Sequence, residues 1–233
     1  MIVPSGQIFN ELDLQLLPLM AKHKFIERRD TPFILKSGVK SHVYVFGRED
    51  ITDHPDLEWL IGRKTALLIK KNSLSQDKQP CLIGIPTAGT AIAQATAMVS
   101  YAEKIQVNGY FICHRVMKEA LKTHGANPSW VNGSPQSELH TYWTGDNVVT
   151  DGGAKFEAAE RLGESGYPIQ EMPSLVFVDR QQGGVQKMKQ QGFTRIVVVY
   201  QLLDLTFAFG ELGLWPKDAV RAVEEEIRAH QLL

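Results

Sequence analysis

The 233 residues include 25 Lys and Arg against 26 Asp and Glu, a formal net charge of -1, and are 43% hydrophobic and 22% charged. That usage is ordinary for a globular protein and excludes a chain disordered along its length. The near-zero charge excludes a protein whose main task is to neutralise a nucleic-acid backbone, and leaves room only for local basic clusters that hold a small phosphate.

The opening Met1-Ile-Val-Pro-Ser-Gly6 has no basic stretch followed by an apolar core, and no apolar run approaches membrane-spanning length, so a cytoplasmic protein without membrane or nucleic-acid partners is expected. Ser5 is positioned to cap a helix whose apolar face is Phe9, Leu12, Leu16, Leu19 and Met20, with Pro18 as a kink or break. Phe33 to Phe46 fits two short strands around a Ser37-Gly38 turn. Asp53 and Pro55 give the N-cap and early proline of a helix that ends in Lys70-Lys71-Asn72, and a polar loop runs on to Gln79.

Beyond Gln79 strands alternate with helices. The expected strands are Cys81–Ile85, Tyr110–Cys113, Tyr142–Thr144, Leu175–Val178 and Arg195–Tyr200; the expected helices are Ala88–Tyr101, Gly153–Leu162, Val185–Gln191 and Pro216–His230. This alternation predicts an α/β fold, a mainly parallel sheet with helices on both faces, in one domain over residues 1–233 to which residues 1–50 add an N-terminal helix and a small hood. Residues 117–139 are rich in Gly, Asn, Pro and Ser without apolar periodicity, and predict an irregular lid. Cys81 and Cys113 lie in apolar runs with no ligand partner at metal spacing, and are read as small core residues.

Open parallel sheets bind ligands at the carboxyl ends of their strands, which directs attention to the loops after Ile85, Cys113 and Thr144. The first, Gly84-Ile-Pro-Thr-Ala-Gly-Thr-Ala91, has small residues that would let main-chain N–H groups approach an anion, or would simply pack a helix tightly on a strand. Its Gly84 and Gly89 match a Walker A spacing, but Thr90 stands where that motif needs lysine. A dinucleotide site also fails, since no Gly-x-Gly-x-x-Gly follows a strand.

The loop Thr144-Gly-Asp-Asn-Val-Val-Thr-Asp-Gly-Gly-Ala-Lys155 resembles the phosphoribosyl-pyrophosphate loop of type I phosphoribosyltransferases. Carboxylates accept hydrogen bonds from ribose hydroxyls, and a helix N-terminus offers N–H donors to a 5'-phosphate. Three more stretches resemble the orotate phosphoribosyltransferases in family order: Phe33-Ile-Leu-Lys-Ser-Gly38 with Ser41 and Tyr44, Met117-Lys-Glu-Ala-Leu-Lys-Thr-His-Gly125, and Phe177-Val-Asp-Arg-Gln-Gln-Gly-Gly184.

The resemblance implies transfer of ribose 5-phosphate from phosphoribosyl pyrophosphate to orotate, in pyrimidine nucleotide biosynthesis, with Mg2+ carried by the pyrophosphate substrate and no protein metal ligand assigned. It implies a homodimer. By match of position, Lys118, Lys122, His124 and Asp146 are catalytic, and Lys36, Tyr44, Val45 and Arg180 meet the base. Thr87, Ala88, Gly89, Asp146, Asn147, Val148, Val149, Thr150, Asp151, Gly152 and Gly153 bind phosphoribosyl pyrophosphate. Alternatives stay open: Lys118 and Lys122 as one solvated helix face, and Arg180 as the ion-pair partner of Asp179 or another surface acid.

The sequence departs from the family pattern at Asn147 in place of a second acid, at Asp151 in place of a small hydroxylated residue, and at Met117 in place of an arginine. Lys155 lies four residues after Asp151, within reach of its carboxylate. Besides the active orotate transferase, a transferase for another base and a non-catalytic nucleotide- or base-binding regulator on the same fold remain in view.

Overall fold

The computed structural model describes residues 1–34, 38, 40–46, 49–73, 75, 77–121 and 129–229, with only the backbone of 49 and 50. In chain order the elements are α1 Glu11–Lys22, β1 Ile26–Ile34, β2 Lys40–Val45, α2 Glu49–Thr52, α3 Pro55–Lys71, β3 Gln79–Gly84 and α4 Ala88–Ala102. They continue with β4 Gln106–Val107, β5 Tyr110–Phe111, β6 Cys113–Val116, β7 His140–Val149, α5 Gly153–Glu164 and a 3-10 turn at Ile169–Glu171. The remainder is β8 Ser174–Asp179, α6 Gly184–Gln190, β9 Ile196–Gln201, α7 Leu202–Glu211 and α8 Lys217–Ala229.

Five strands form one sheet in the order β6-β3-β7-β8-β9, and every neighbouring pair in it is parallel. Alternation along the strands assigns the two faces. Leu82, Trp143, Leu175 and Phe177 enter a core with α1, α3, α4, α7 and α8, whereas Cys81, Ile83 and Tyr142 pack with Ala158 and Leu162 of α5 on the other side. Val176 and Val149 meet Met188 of α6 on that second side. Cys81 and Cys113 pair across β3 and β6 as free thiols; Cys81 is buried in the core as expected, whereas Cys113, on the edge strand, is only half-buried.

The hood is the antiparallel ribbon of β1 and β2, irregular between Arg28 and Phe33. Phe33, Tyr44 and Phe46 cluster on it, with ring centroids 4.5 to 5.9 Å apart. Helix α8 holds it from outside: Glu226 accepts from the His42 backbone N–H at 2.9 Å and lies 2.8 Å from its Nδ1.

Several local expectations are corrected. Asn10, not Ser5, caps α1, because Asp13 returns a bond to the Asn10 N–H and completes a capping box; Ser5 instead donates to Asp204. Pro18 sits inside α1 without ending it. His54 rather than Asp53 is the residue before α3, and its side chain makes no capping bond. The expected strand at 110–113 divides into β5, which pairs with β4, and β6, which joins the main sheet. β7 runs to Val149 instead of stopping at Thr144. α7 lies between the expected strand that ends at Tyr200 and the expected helix that begins at Pro216, in a stretch where the residues lead to no expected element.

α1, α3 and β9 meet at a buried polar centre. Asp13 is fully buried and accepts from Lys64 Nζ, from the Tyr200 hydroxyl at 2.5 Å and from the Asn10 N–H at 2.8 Å. A buried carboxylate is tolerated only when it is paired and hydrogen-bonded in this way. Tyr200→Phe keeps the ring and removes one donor, so urea unfolding should show a loss of about 1.5–3 kcal/mol. Lys64→Met leaves the carboxylate without its cation and should lose about 3–5 kcal/mol.

Glu226 adds a pH dependence. Burial alone would raise its pKa, but bonds from Ser41 and His42 outweigh that and hold the carboxyl below its usual range. A depressed carboxyl contributes stability that is present above the unfolded pKa and lost as pH falls through the folded one. The melting temperature of the wild type should therefore exceed that of Glu226→Gln at neutral pH, and the difference should shrink as pH falls below the ordinary carboxyl value of about 4.3 and vanish only below the still lower folded value.

Candidate active site

The chain leaves β3 to form α4, returns to β6 on one side of β3 and then to β7 on the other. The reversal of direction lies between β3 and β7, and a crevice opens there at the carboxyl ends of the strands, as the fold class requires. A pocket of about 250 Å³ occupies it, lined by the loop after β3, the end of β7 with its following loop, Arg180 after β8, and Tyr44 and Val45 of the hood.

Glycine sets how closely these parts approach. A Cβ on Gly84 would lie 2.1 Å from the Gly89 carbonyl oxygen, and one on Gly89 would lie 2.3 Å from the Gly145 carbonyl oxygen. Gly89 therefore packs α4 against β7 and does not line the pocket, while its neighbours Thr87 and Ala88 do. Of the two uses considered for this loop, tight packing is realised at Gly89. The Pro86–Thr87 peptide is cis. The Thr87 hydroxyl donates to Glu119 at 2.9 Å, which joins this loop to the start of the lid.

Because β7 continues to Val149, Asp146 and Asn147 are strand residues, and their side chains leave opposite faces of the sheet. Asp146 is 7% exposed. Its Oδ1 accepts from the Asn147 N–H at 2.8 Å and its Oδ2 from Lys155 Nζ at 2.5 Å. Lys155 Nζ also donates to the Val148 carbonyl. Asn147 does not act as a second acid would: its Nδ2 donates to the Phe46 carbonyl at 2.7 Å and ties the sheet to the hood.

The loop from Thr150 to Gly153 borders the pocket, with Gly152 in the left-handed conformation at φ 89° just before α5. Val148 borders it too, but Val149 is turned into the core. Asp151 is exposed, and its Oδ1 accepts from the Gly153 N–H at 3.1 Å. Asp151 does not use the Lys155 within its reach: the lysine goes to Asp146, and the Asp151 carboxylate closes a local turn on a helix-start amide.

Arg180 is 3% exposed and donates from Nη2 to the Ser41 hydroxyl at 3.0 Å and to the Val43 carbonyl at 3.1 Å. Asp179 accepts from the Gln181 N–H instead, so the alternative of an Asp179 ion pair does not hold. The Arg180 Nε is buried without a partner, and burial pushes the guanidinium down to about 10, still charged at neutral pH. A buried cation with an unmet donor beside a pocket is prepared for an anionic or carbonyl group.

Lys118 is not brought to the pocket. Its Nζ donates to the Ser129 carbonyl at 2.8 Å and its N–H to the Trp130 carbonyl at 2.8 Å, closing the base of the lid where Met117 pairs with Val131. No helix occurs in the described parts of 117–139, so the single helix face considered for Lys118 is absent there. Lys122 and His124 in the lid, and Lys36 in the hood, lie outside the described residues.

Two participants escaped the sequence reading. Phe46 contributes only a carbonyl, which leaves no trace in residue type. The pairing of Lys155 with Asp146 did leave one: a cation in the first turn of a helix opposes the macrodipole and calls for an acid nearby.

No family model matches the chain. Curated relatives do. An orotate phosphoribosyltransferase of Nostoc sp. is 30% identical over 212 residues, covering 91% of this chain and 94% of that protein. Another, of Synechocystis sp., is 30% identical over 179 residues, covering 77% of this chain and 81% of its own length. Among solved structures, the orotate phosphoribosyltransferase of Aeropyrum pernix has a TM-score of 0.60 at 23% identity, over 86% of this chain and 99% of that one. The UMP synthase of Leishmania donovani has a TM-score of 0.69 at 21% identity; the match covers 91% of this chain and 42% of that longer one. The solved structures show the fold, that of the type I phosphoribosyltransferases. Nearly full-length identity of 30% to the Nostoc protein shows more: the chain belongs to the orotate phosphoribosyltransferase family.

Proposed function

We propose that this protein transfers ribose 5-phosphate from phosphoribosyl pyrophosphate to orotate. The bond between ribose C1 and the pyrophosphate oxygen breaks, a bond from C1 to a base nitrogen forms, and pyrophosphate leaves. The observation that carries this reading is the buried Arg180 with its unpartnered Nε, facing the same 250 Å³ pocket as the loop from Asp146 to Gly153. One end of the crevice thus suits a planar anionic base and the other a ribose phosphate.

In this reading Arg180 and the hood strand at Tyr44 and Val45 hold the base. Asp146 accepts from the ribose hydroxyls, the N–H groups of Thr150 to Gly153 take the 5'-phosphate, and Thr87 and Ala88 lie along the pyrophosphate. Lys122 and His124 are assigned to the pyrophosphate through the resemblance of the lid, and Lys36 to the substrate. Positioning and oriented charge supply most of the rate enhancement, since charge develops on the departing pyrophosphate. A homodimer and a cytoplasmic location belong to the same proposal. None of the described helices is long and apolar enough to cross a membrane.

The donor set does not suit a metal ion bound by the protein itself. Among the described residues no three His, Cys, Asp or Glu side chains are grouped to hold one, Asn147 is neutral, and Asp146 is already bonded to Lys155. Magnesium is therefore assigned to the substrate, on its pyrophosphate oxygens.

The test is pyrophosphate release from orotate and phosphoribosyl pyrophosphate with magnesium. Release that requires orotate supports the assignment, and release with another base in its place moves the protein to that acceptor. Arg180→Lys keeps a charge but loses the planar fork, so the Michaelis constant for orotate should rise about tenfold or more. Asp151→Thr frees the Gly153 N–H for the phosphate and removes a carboxylate that would repel it by about 1 kcal/mol in water-like surroundings. Calorimetry should find phosphoribosyl pyrophosphate bound several-fold more tightly by that variant.

A further inference from the structure

The Lys155–Asp146 pair lies at the floor of the pocket and calls for its own explanation. Lys155 is the third residue of α5, where a positive charge faces the positive end of the helix dipole. It is nonetheless 5% exposed, with its ammonium on Asp146 Oδ2 and on the Val148 carbonyl. Placing a lysine there is unfavourable on two counts, desolvation and the dipole, and both are offset only by the carboxylate and carbonyl it meets.

Consider the charges next to the loop that takes the ribose phosphate. Two acids in sequence would present a charge of -2 to a highly anionic ligand, a repulsion that nearby positive charge would have to offset. Here Asn147 removes one of those charges and directs its amide to Phe46, and Lys155 balances the other. The Asp146–Lys155 pair sums to zero.

Resting on the ribose-phosphate reading of this pocket, we propose that Lys155 is the site's resident cation. It holds Asp146 aimed at the ribose hydroxyls and balances its charge toward the phosphate loop, so that phosphoribosyl pyrophosphate binds without a divalent cation. Lys155 is thus a positioning residue, and the protein's ligand affinity is set by a covalently attached charge instead of a diffusible one.

The experiment is calorimetric titration of the full chain with phosphoribosyl pyrophosphate, once with magnesium and once with EDTA, together with ribose 5-phosphate in both buffers. The wild type should lose less than about tenfold in affinity on removal of magnesium. Lys155→Met, confirmed folded by circular dichroism, should lose about a hundredfold in EDTA and regain part of it with magnesium; Lys155→Arg should behave as the wild type. Wild-type binding of phosphoribosyl pyrophosphate that disappears in EDTA overturns the role of Lys155 while ribose 5-phosphate binding upholds the pocket assignment. Failure of both ligands in both buffers overturns the pocket assignment and this inference with it. The wild-type comparison decides the matter even if Lys155→Met does not fold.

Discussion

Backbone contact among Gly84, Gly89 and Gly145 is the constraint on which the site depends. With no side chain at Gly84 and Gly89, α4 comes down onto the Gly145 carbonyl of β7, and the loop after β3 lies directly beside the loop after β7. Any Cβ at Gly84 or Gly89 would drive main-chain atoms apart, and main chain cannot swing aside as the tip of a flexible side chain can. The width of the crevice is therefore set by covalent geometry before any polar group is considered. Gly184 repeats the device on the far side, where a Cβ would lie 2.6 Å from the Thr150 carbonyl oxygen.

On this frame the polar groups divide into those that support and those that face the ligand. Asn147 and Ser41 support: one joins β7 to the hood through Phe46, the other receives Arg180. Asp146 and Arg180 face the crevice, yet each is held by bonds within the protein that fix its direction. A residue change that looks like the loss of a ligand group, acid to amide at Asn147, is in structural terms the gain of a donor that an acid could not supply.

Much of this architecture could be read from the residues. Alternation of strands and helices predicted the parallel sheet and its two covered faces, because apolar runs of fixed length leave few other ways to bury themselves. Of the four short segments in family order, three border one pocket, through Tyr44, Asp146 to Gly153, and Arg180. What could not be read was register and reach. The Thr-rich start of β7 concealed a strand of ten residues, and Lys155, expected within reach of Asp151, instead meets Asp146 near the end of that strand. Lys118 illustrates the same limit: its position in the lid segment predicted a ligand contact, and only the pairing of Met117 with Val131 turns it to the Ser129 carbonyl.

The bond between Glu226 and the His42 main chain joins residues 184 positions apart, and it ties α8 to the hood strand β2. Manipulation of the carboxyl end of the chain is then not neutral. Fusion partners, affinity tags or immobilisation linkers attached there would load a helix that holds the hood through Glu226, and the load would pass directly to β2.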